Sequence, residues 1–527
     1  MKRVSSHQRK DSVLLMVFVL CFTLLANTGP VSASMEPKKQ AGQTLVIKNA
    51  TIVDVHSGKL KPNQSIVVTN NKITKIEESD KVIIPDKAQS YDATGQYIIP
   101  GLWDMHVHLS TQNSEHEHAF PLLLGNGVTG VRDMGATLEN IELWNKAIKN
   151  GTPAPRIAYA GQTLNKLPGN GIPPHMLSLN TEEEARNAVR KMADKGADHI
   201  KIYSNLPERL TKAVFDEAKN YKLPVVGHLP NQVTALEASE MGMKSMEHLV
   251  GLFIATSSIE KELLGDPKLE EFNSLIEAQN KAFIMYDPQR AEKLFQTFIK
   301  NKTWQVPTLV ALKNPSCKNI DLRAKYVPTQ YQKQWIQIIE EIKKSQEMYS
   351  TYSLNCVKLT GRMNAAGVPL LAGTDSVFGV PNMIFGISLH DELELLVKAG
   401  LTPLQALQAA TINPAKYLER EKELGSVEEG KLADLVVLKA NPLANIKNTT
   451  LISAVVLDGK LMEKSELDKS IKTYDLVKAP LSAPQLYPAR SISEESGAEV
   501  NWDGKSMTVT ITKKANTVMA VKSLPEI

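Results

Sequence analysis

The sequence predicts an α/β chain: a (β/α)8 TIM barrel, a β-sandwich split between the two flanks of that barrel, and a small C-terminal accessory module. Three observations predict it. Strand-like and amphipathic helix-like segments alternate through residues 100–415. Short β segments of one style occur on both sides of that region, and neither group is large enough to close a sheet alone. A Pro-dotted stretch, KAPLSAPQLYP, then sets off the last residues.

The elements follow in order. Residues 1–33 read as an export signal: Arg9 and Lys10 precede SVLLMVFVLCFTLLA, an apolar run too short for a comfortable membrane span. Val31 and Ala33 supply small residues for cleavage after Ala33. Residues 43–99 hold TLVIKNATIVDV, SIVVTN, KITKIEE, KVIIPD and QYIIP, separated by polar turns. Residues 416–465 return to that style with KLADLVVLKA and LISAVVLDGKLM. Between them stand eight strand candidates: GLWDMHVH, GVTGVRDM, PRIAYAG, ADHIKIY, LPVVGH, KSMEHLV, WQVPTLVAL and VPLLAGTD. Helical stretches such as TEEEARNAVRKMADKG separate them. Eight β/α units in this length suggest the barrel. Residues 311–366 are expected as a helical insertion, 466–480 as a linker and 481–527 as the accessory module.

Composition excludes several classes. The chain has 527 residues, 42% hydrophobic and 22% charged, near globular averages. That is no disordered, collagen-like or multi-span membrane chain. Net charge is +4, and Lys2, Arg3, Arg9, Lys10 and Asp11 account for most of it, leaving 57 basic against 56 acidic residues. Nucleic acid is therefore not an expected partner. After cleavage two cysteines remain, Cys317 and Cys356. Export permits a disulfide between them, and two separate thiols are the alternative.

Polar residues gather at the carboxyl ends of the candidate strands. His106 and His108 end the first, Lys201 lies near the end of the fourth, His228 ends the fifth, His248 lies near the end of the sixth and Asp375 ends the eighth. A barrel carries its active site on that face. Residues i and i+2 of a strand point the same way, so His106 and His108 aim at one place. Imidazole nitrogens suit zinc and similar ions. Singly, each residue has a plainer account: core packing for the histidines, helix capping for Asp375. Their joint placement reads as a metal site.

Lys201 needs a separate argument. A protonated lysine repels a metal, while burial beside cations favours the neutral amine. A neutral amine can take up CO₂, and the carbamate has two oxygens and a negative charge with which to bridge two ions. The plainer account is a lysine snorkelling from a strand end or pairing with a carboxylate.

These segments together resemble the amidohydrolase superfamily. IPGLWDMHVH, with its D-x-H-x-H core, resembles the family's first-strand signature, and GVTGVRDMG, GADHIKIY, VVGH, SMEHL and AGTDS follow in its order and spacing. The likeness covers about 43–463 and is closest to the imidazolonepropionase-like and Xaa-Pro dipeptidase-like branch. It implies two divalent ions, expected as zinc, and a carboxylated lysine. His106, His108 and Asp375 would hold one ion, His228 and His248 the other, and a carbamate on Lys201 would bridge them. GHLP at His228 departs from the HA of many dipeptidase-like members, which leaves the substrate class open. The segment YPARSISEESGAEVNWDGKSMTVTIT resembles the copper amine oxidase N-terminal-like domain of exported bacterial proteins. No histidine follows His390, so the tail shows no imidazole copper site.

The function expected is an exported hydrolase that cleaves an amide or peptide C–N bond with a metal-activated water. Asp375 is the expected proton acceptor, and Tyr203 and His175 are the candidate substrate contacts. A dipeptide or N-acyl amino acid is the expected substrate, with a cyclic amide or lactone as the alternative. A non-catalytic surface-binding protein is the alternative of another class. The partners are a small-molecule substrate and a cell surface reached through the tail, with no membrane span after cleavage and with self-association left open. His116 and His118 are expected as solvated imidazoles at a helix start.

Overall fold

The computed structural model describes residues 44–109, 115–167, 172–477, 498–503, 508–513 and 516–522. The expected export segment 1–33 lies outside the described residues, as does much of the tail motif.

One eight-stranded sheet draws on both flanks. Thr44–Val53 pairs antiparallel with Leu60–Thr69, which pairs with Lys72–Glu78. Gln89–Asp92 and Tyr97–Pro100 run parallel to different stretches of Thr44–Val53. From the far side of the chain, Leu435–Leu438 pairs antiparallel with Tyr97–Pro100, and Ile452–Leu457 and Lys460–Glu463 extend the sheet. Alternation along these strands gives the sheet its own core, in which Ile47, Ile66 and Val68 from one flank meet Leu435, Val437 and Ala454 from the other. KVIIPD, expected as a strand, is not one. Pro85 has no N–H to give a ladder, and its carbonyl instead closes a turn on Ala88 N–H at 2.9 Å.

The middle contains parallel strands joined by helices. β1 (Leu102–Val107), β2 (Val128–Asp133) and β3 (Arg156–Tyr159) form one parallel sheet. β4 (Thr163–Asn165), β5 (Met176–Ser178), β6 (Ile200–Ile202), β7 (Val225–Gly227), β8 (Met243–Glu247) and β9 (Trp304–Val306) form another, in the order β5-β4-β6-β7-β8-β9. Asp198 N–H donates to Tyr159 O at 2.9 Å, tying the approach to β6 to the end of β3. The helix Glu182–Asp194 starts where the Thr181 hydroxyl accepts from Glu184 N–H at 3.1 Å. It buries Ala185, Ala188, Val189 and Met192 at helical spacing.

Two strand expectations fall short. The stretch 368–376 makes isolated parallel bridges, Leu370 to Gln305 of β9 and Ser376 to Val107 of β1, rather than a ladder. Asp375 has left-handed backbone, φ 63°, and breaks the extended run. WQVPTLVAL is a strand only over β9. Pro307 removes a donor, Thr308 turns left-handed at φ 48° and Leu309–Lys313 is helical.

The 311–366 stretch holds two long helices, Thr329–Ile342 and Gln346–Ala365. Trp335 of the first is fully buried and donates Nε1–H to Phe378 O at 2.7 Å, docking it on the turn after Asp375. The expected linker at 466–480 instead begins inside a helix, Lys464–Ser470, whose Leu467 is buried. Leu467 and Ile471 join the core of the parallel strands because the segment still carries apolar residues at helical spacing. Residues from Leu476 onward cluster as a separate compact unit, with three antiparallel strands at 498–503, 508–513 and 516–522. Cys317 and Cys356 are free thiols. No helix among the described residues is long and apolar enough to cross a membrane.

Candidate metal centre

The predicted site residues converge at the carboxyl ends of the parallel strands. His106 lies in β1 and His108 just beyond it, on the same side by the strand's period of two. Asp375 Oδ1 lies 3.3 Å from His106 Nε2 and 3.2 Å from His108 Nε2. One ligating atom from each of the three falls within 4.8 Å of the others. His248, just past β8, has its ring 4.4 Å from that of His106 and 4.8 Å from that of His228, just past β7. Lys201 is the middle residue of β6 and is buried. Gly227 permits this approach: a Cβ there would stand 2.2 Å from Ile202 O and 2.9 Å from Lys201 Cδ.

Each imidazole is held through Nδ1. His106 Nδ1 meets Glu247 Oε2 at 2.8 Å, His228 Nδ1 meets Ser204 Oγ at 3.0 Å and His248 Nδ1 meets Thr308 Oγ1 at 2.8 Å. His108 Nδ1 faces Gly135 O at 3.5 Å. Groups on Nδ1 leave Nε2 free for a ligand, the arrangement by which metal-binding histidines are oriented. His106 Nε2 is buried with no hydrogen-bond partner among the described residues. A buried nitrogen in that state is costly unless something else takes its lone pair. The donor set therefore fits a divalent ion.

Sequence reasoning missed the supports beneath these ligands. Glu247 is fully buried, and Arg132 donates to both of its oxygens at 2.8 and 2.9 Å. Arg132 also reaches Met105 O, Ser245 and Tyr417. Asp104 ties β1 to the 370–376 segment by accepting Thr374 N–H at 2.9 Å and the Thr374 hydroxyl at 2.7 Å. The available signal was charge inside apolar strands: Arg132 in VTGVRD, Glu247 in MKSME and Asp104 two residues before His106.

Burial dominates the titrations. It holds His106 and His228 well below the usual imidazole range and His248 at about 3, with the Lys201 charge acting the same way. It pushes Lys201 down to about 8. Burial alone would raise the Asp375 carboxyl, yet His248, His108 and Lys201 hold it below the usual carboxylate value. Asp104 is pushed up to about 7 by its burial. The unmetallated centre thus offers His106, His228 and His248 as neutral imidazoles beside one carboxylate, the protonation states a metal needs.

The two substrate candidates also sit here. Tyr203 stacks on His228, with ring centroids 3.8 Å apart at 26°. His175 is buried, and burial followed by the His108 charge holds it at about 3. The expectation of solvated imidazoles fails for His116, which is buried against Phe120. His118 is half-buried and its Nδ1 meets Tyr474 OH at 3.0 Å. The helix His116–Gly125 packs into the core rather than over it, which draws both rings inward.

The Amidohydrolase family profile matches residues 97–301 and 310–462. The chain belongs to that family. Residues 482–523 match the Copper amine oxidase N-terminal domain. Among solved structures, a Xaa-Pro dipeptidase with bound methionine is similar at 24% identity, covering 80% of this chain and 100% of that one, with a TM-score of 0.60. A putative prolidase from Bifidobacterium longum is similar at 25% identity over 81% and 98% of the two chains, with a TM-score of 0.59. An adenine deaminase of Clostridium botulinum (strain Loch Maree / Type A3) is 39% identical over 80 residues, which are 15% of this chain and 12% of the deaminase. The chain therefore matches only a small part of that curated relative.

Proposed function

We propose that this chain is an exported binuclear metal hydrolase of an amide or peptide bond. His106, His108 and Asp375 would hold one divalent ion and His228 and His248 a second, and Lys201, once carboxylated, would supply oxygens to both. The observation that carries this reading is the convergence of four imidazoles and one carboxylate, each ring engaged at Nδ1. Imidazole ligands favour zinc. Lys201 supports the bridge because it is buried and forms no ion pair among the described residues. The parallel ladders, with 370–376 bridged to both β9 and β1, support one closed (β/α)8 barrel. The sheet drawn from both flanks supports the split sandwich. Export rests on the apolar run and Ala33, and a mature N-terminus near Ser34 tests it.

Bound zinc supplies Lewis acidity toward a carbonyl and lowers the pKa of water. Asp375 takes the proton from the attacking water and passes it to the leaving amine. Its left-handed backbone points the carboxylate at His106 and His108, and the neighbouring positive charge keeps it ionised until that transfer. Tyr203, stacked on His228, and His175, beside His108, flank the space a substrate would enter.

Similarity to the dipeptidase and prolidase structures supports a dipeptide or N-acyl amino acid. A cyclic amide or lactone is the second reading, kept open by GHLP at His228, which departs from the HA of many dipeptidase-like members. The non-catalytic alternative has no support in a site that keeps its ligands. The test is metal analysis of protein purified without chelator, then zinc-loaded assays on dipeptides, N-acyl amino acids, cyclic amides and lactones. Two metals per chain and turnover of one class are expected. Metal-free protein that gains no activity on loading would sink the reading.

A further inference from the structure

Glu392 lies in the helix Ile387–Lys398, outside the ligand set, and is fully buried. Its Oε2 accepts Val310 N–H at 2.7 Å, and Leu309 N–H is also directed at the carboxylate. Its Oε1 is buried without a hydrogen-bond partner among the described residues. A carboxylate so placed is expensive, since one oxygen has lost water and gained nothing. Burial pushes it up to about 8. Such a group needs a reason to be there.

The turn it grips supplies one. Thr308, one residue before the gripped amides, has φ 48°. That is a strained backbone for a β-branched residue. Its hydroxyl meets His248 Nδ1 at 2.8 Å, and His248 is itself left-handed at φ 61°. Both ends of this hydrogen bond therefore sit in backbone states that the surroundings must sustain. On the His248 side, His248 N–H donates to Val306 O at 2.9 Å. On the Thr308 side, the amides that follow are held by Glu392.

We propose that Glu392 is a positioning residue for the metal centre, locking the 308–310 turn so that Thr308 orients the His248 ring. This rests on the reading of His248 as a metal ligand. The chain of contacts runs from Glu392 to the Val310 amide, through the Thr308 backbone to its hydroxyl, and so to His248 Nδ1. Glu392 forms no hydrogen bond or ion pair with His106, His108, Lys201, His228, His248 or Asp375 among the described residues.

The test is zinc affinity measured by competition with a chromophoric chelator, alongside thermal unfolding of the metal-free protein. Thr308→Val, which keeps the shape and removes the hydroxyl, and Glu392→Leu should each weaken the weaker zinc site tenfold or more. The double variant should lose no more than the larger single loss, because both act on one contact. Glu392→Gln keeps a carbonyl acceptor for Val310 and should stay within threefold of the parent. Additive losses, or a lowered melting temperature with unchanged zinc affinity in Glu392→Leu, would overturn the proposal. If Glu392→Leu does not fold, parental affinity in Thr308→Val overturns it instead. His248→Ala separates the two readings. Unchanged zinc affinity there removes His248 from the metal site and the proposal with it. A loss there, with Glu392→Leu unaffected, removes only the proposal.

Discussion

His106, His108 and Asp375 come from two adjoining segments, β1 and 370–376, whereas Lys201, His228 and His248 come from three separate strands. The first trio is complete with ordinary side chains, its ligating atoms already within 4.8 Å of one another. The second has two imidazoles and an amine, and an amine becomes an oxygen ligand only after taking up CO₂. The first half also rests on a buried ion pair, Arg132 with Glu247, while hydroxyls of Ser204 and Thr308 orient the second. The first half joins two neighbouring histidines to one segment bridged to their strand. The second draws on three strands and, under the proposed function, on a chemical modification.

Lys201 tests that contrast with the largest expected effect. Lys201→Ala should lower kcat by roughly three powers of ten or more, each decade being about 1.4 kcal/mol of barrier. The first trio should keep its ion, so metal content should fall toward one per chain rather than zero. Acetate should partly restore activity by supplying the missing carboxylate. Lys201→Arg should not, because guanidinium stays cationic and cannot take up CO₂. Near-normal kcat with two metals in Lys201→Arg would mean that the lysine is structural.

Glu247→Gln attacks the other half. It keeps the side chain's shape but loosens the grip on His106 Nδ1, and loss of such a support typically costs about 10–100-fold in metal affinity. The loss should appear at the site that Lys201→Ala spares. Arg132 also loses its partner charge, so the melting temperature should fall as well. If only the melting temperature moves, Glu247 serves Arg132 alone and the two halves differ less.

Acid gives the smallest effect and reads both halves at once. In metal-free protein His106 and His228 are held well below the usual imidazole value, and His248 and His175 at about 3, mainly through burial. Each binds its proton less readily when folded. Their contribution to stability is therefore present above about pH 6.5 and is lost as pH falls below it. Asp104 and Glu392, raised to about 7 and 8, act in the opposite sense over that range, because the folded state keeps their protons. The imidazoles outnumber the carboxyls, so the melting temperature should drop on acidification below about 6.5. A flat or rising melting temperature there would contradict the buried, neutral state assigned to these rings.

Much of the site was legible because its signals are local. His106 and His108 share a strand face by period alone, and His228 and His248 directly follow the strands Val225–Gly227 and Met243–Glu247. The eighth segment was harder. VPLLAGTD has strand composition, but Gly373 must pass close to His106, where a Cβ would stand 2.9 Å from the His106 Cβ. Asp375 then turns left-handed. Nothing in the composition of the segment announces that bend. Thr308 was hidden for the same reason, inside a run that reads as continuous strand.

By itself the sequence determined the alternating strands and helices, the two-flank sheet and the candidate metal-binding residues, because hydrophobic period and residue chemistry are written along the chain. It did not determine which groups stand behind the ligands. Glu247 is 115 residues from Arg132 and Glu392 is 82 from Val310. Only the packed tertiary structure brings such pairs into one buried volume. Only there, with water excluded, does an unpaired polar or charged group become costly enough to require each partner.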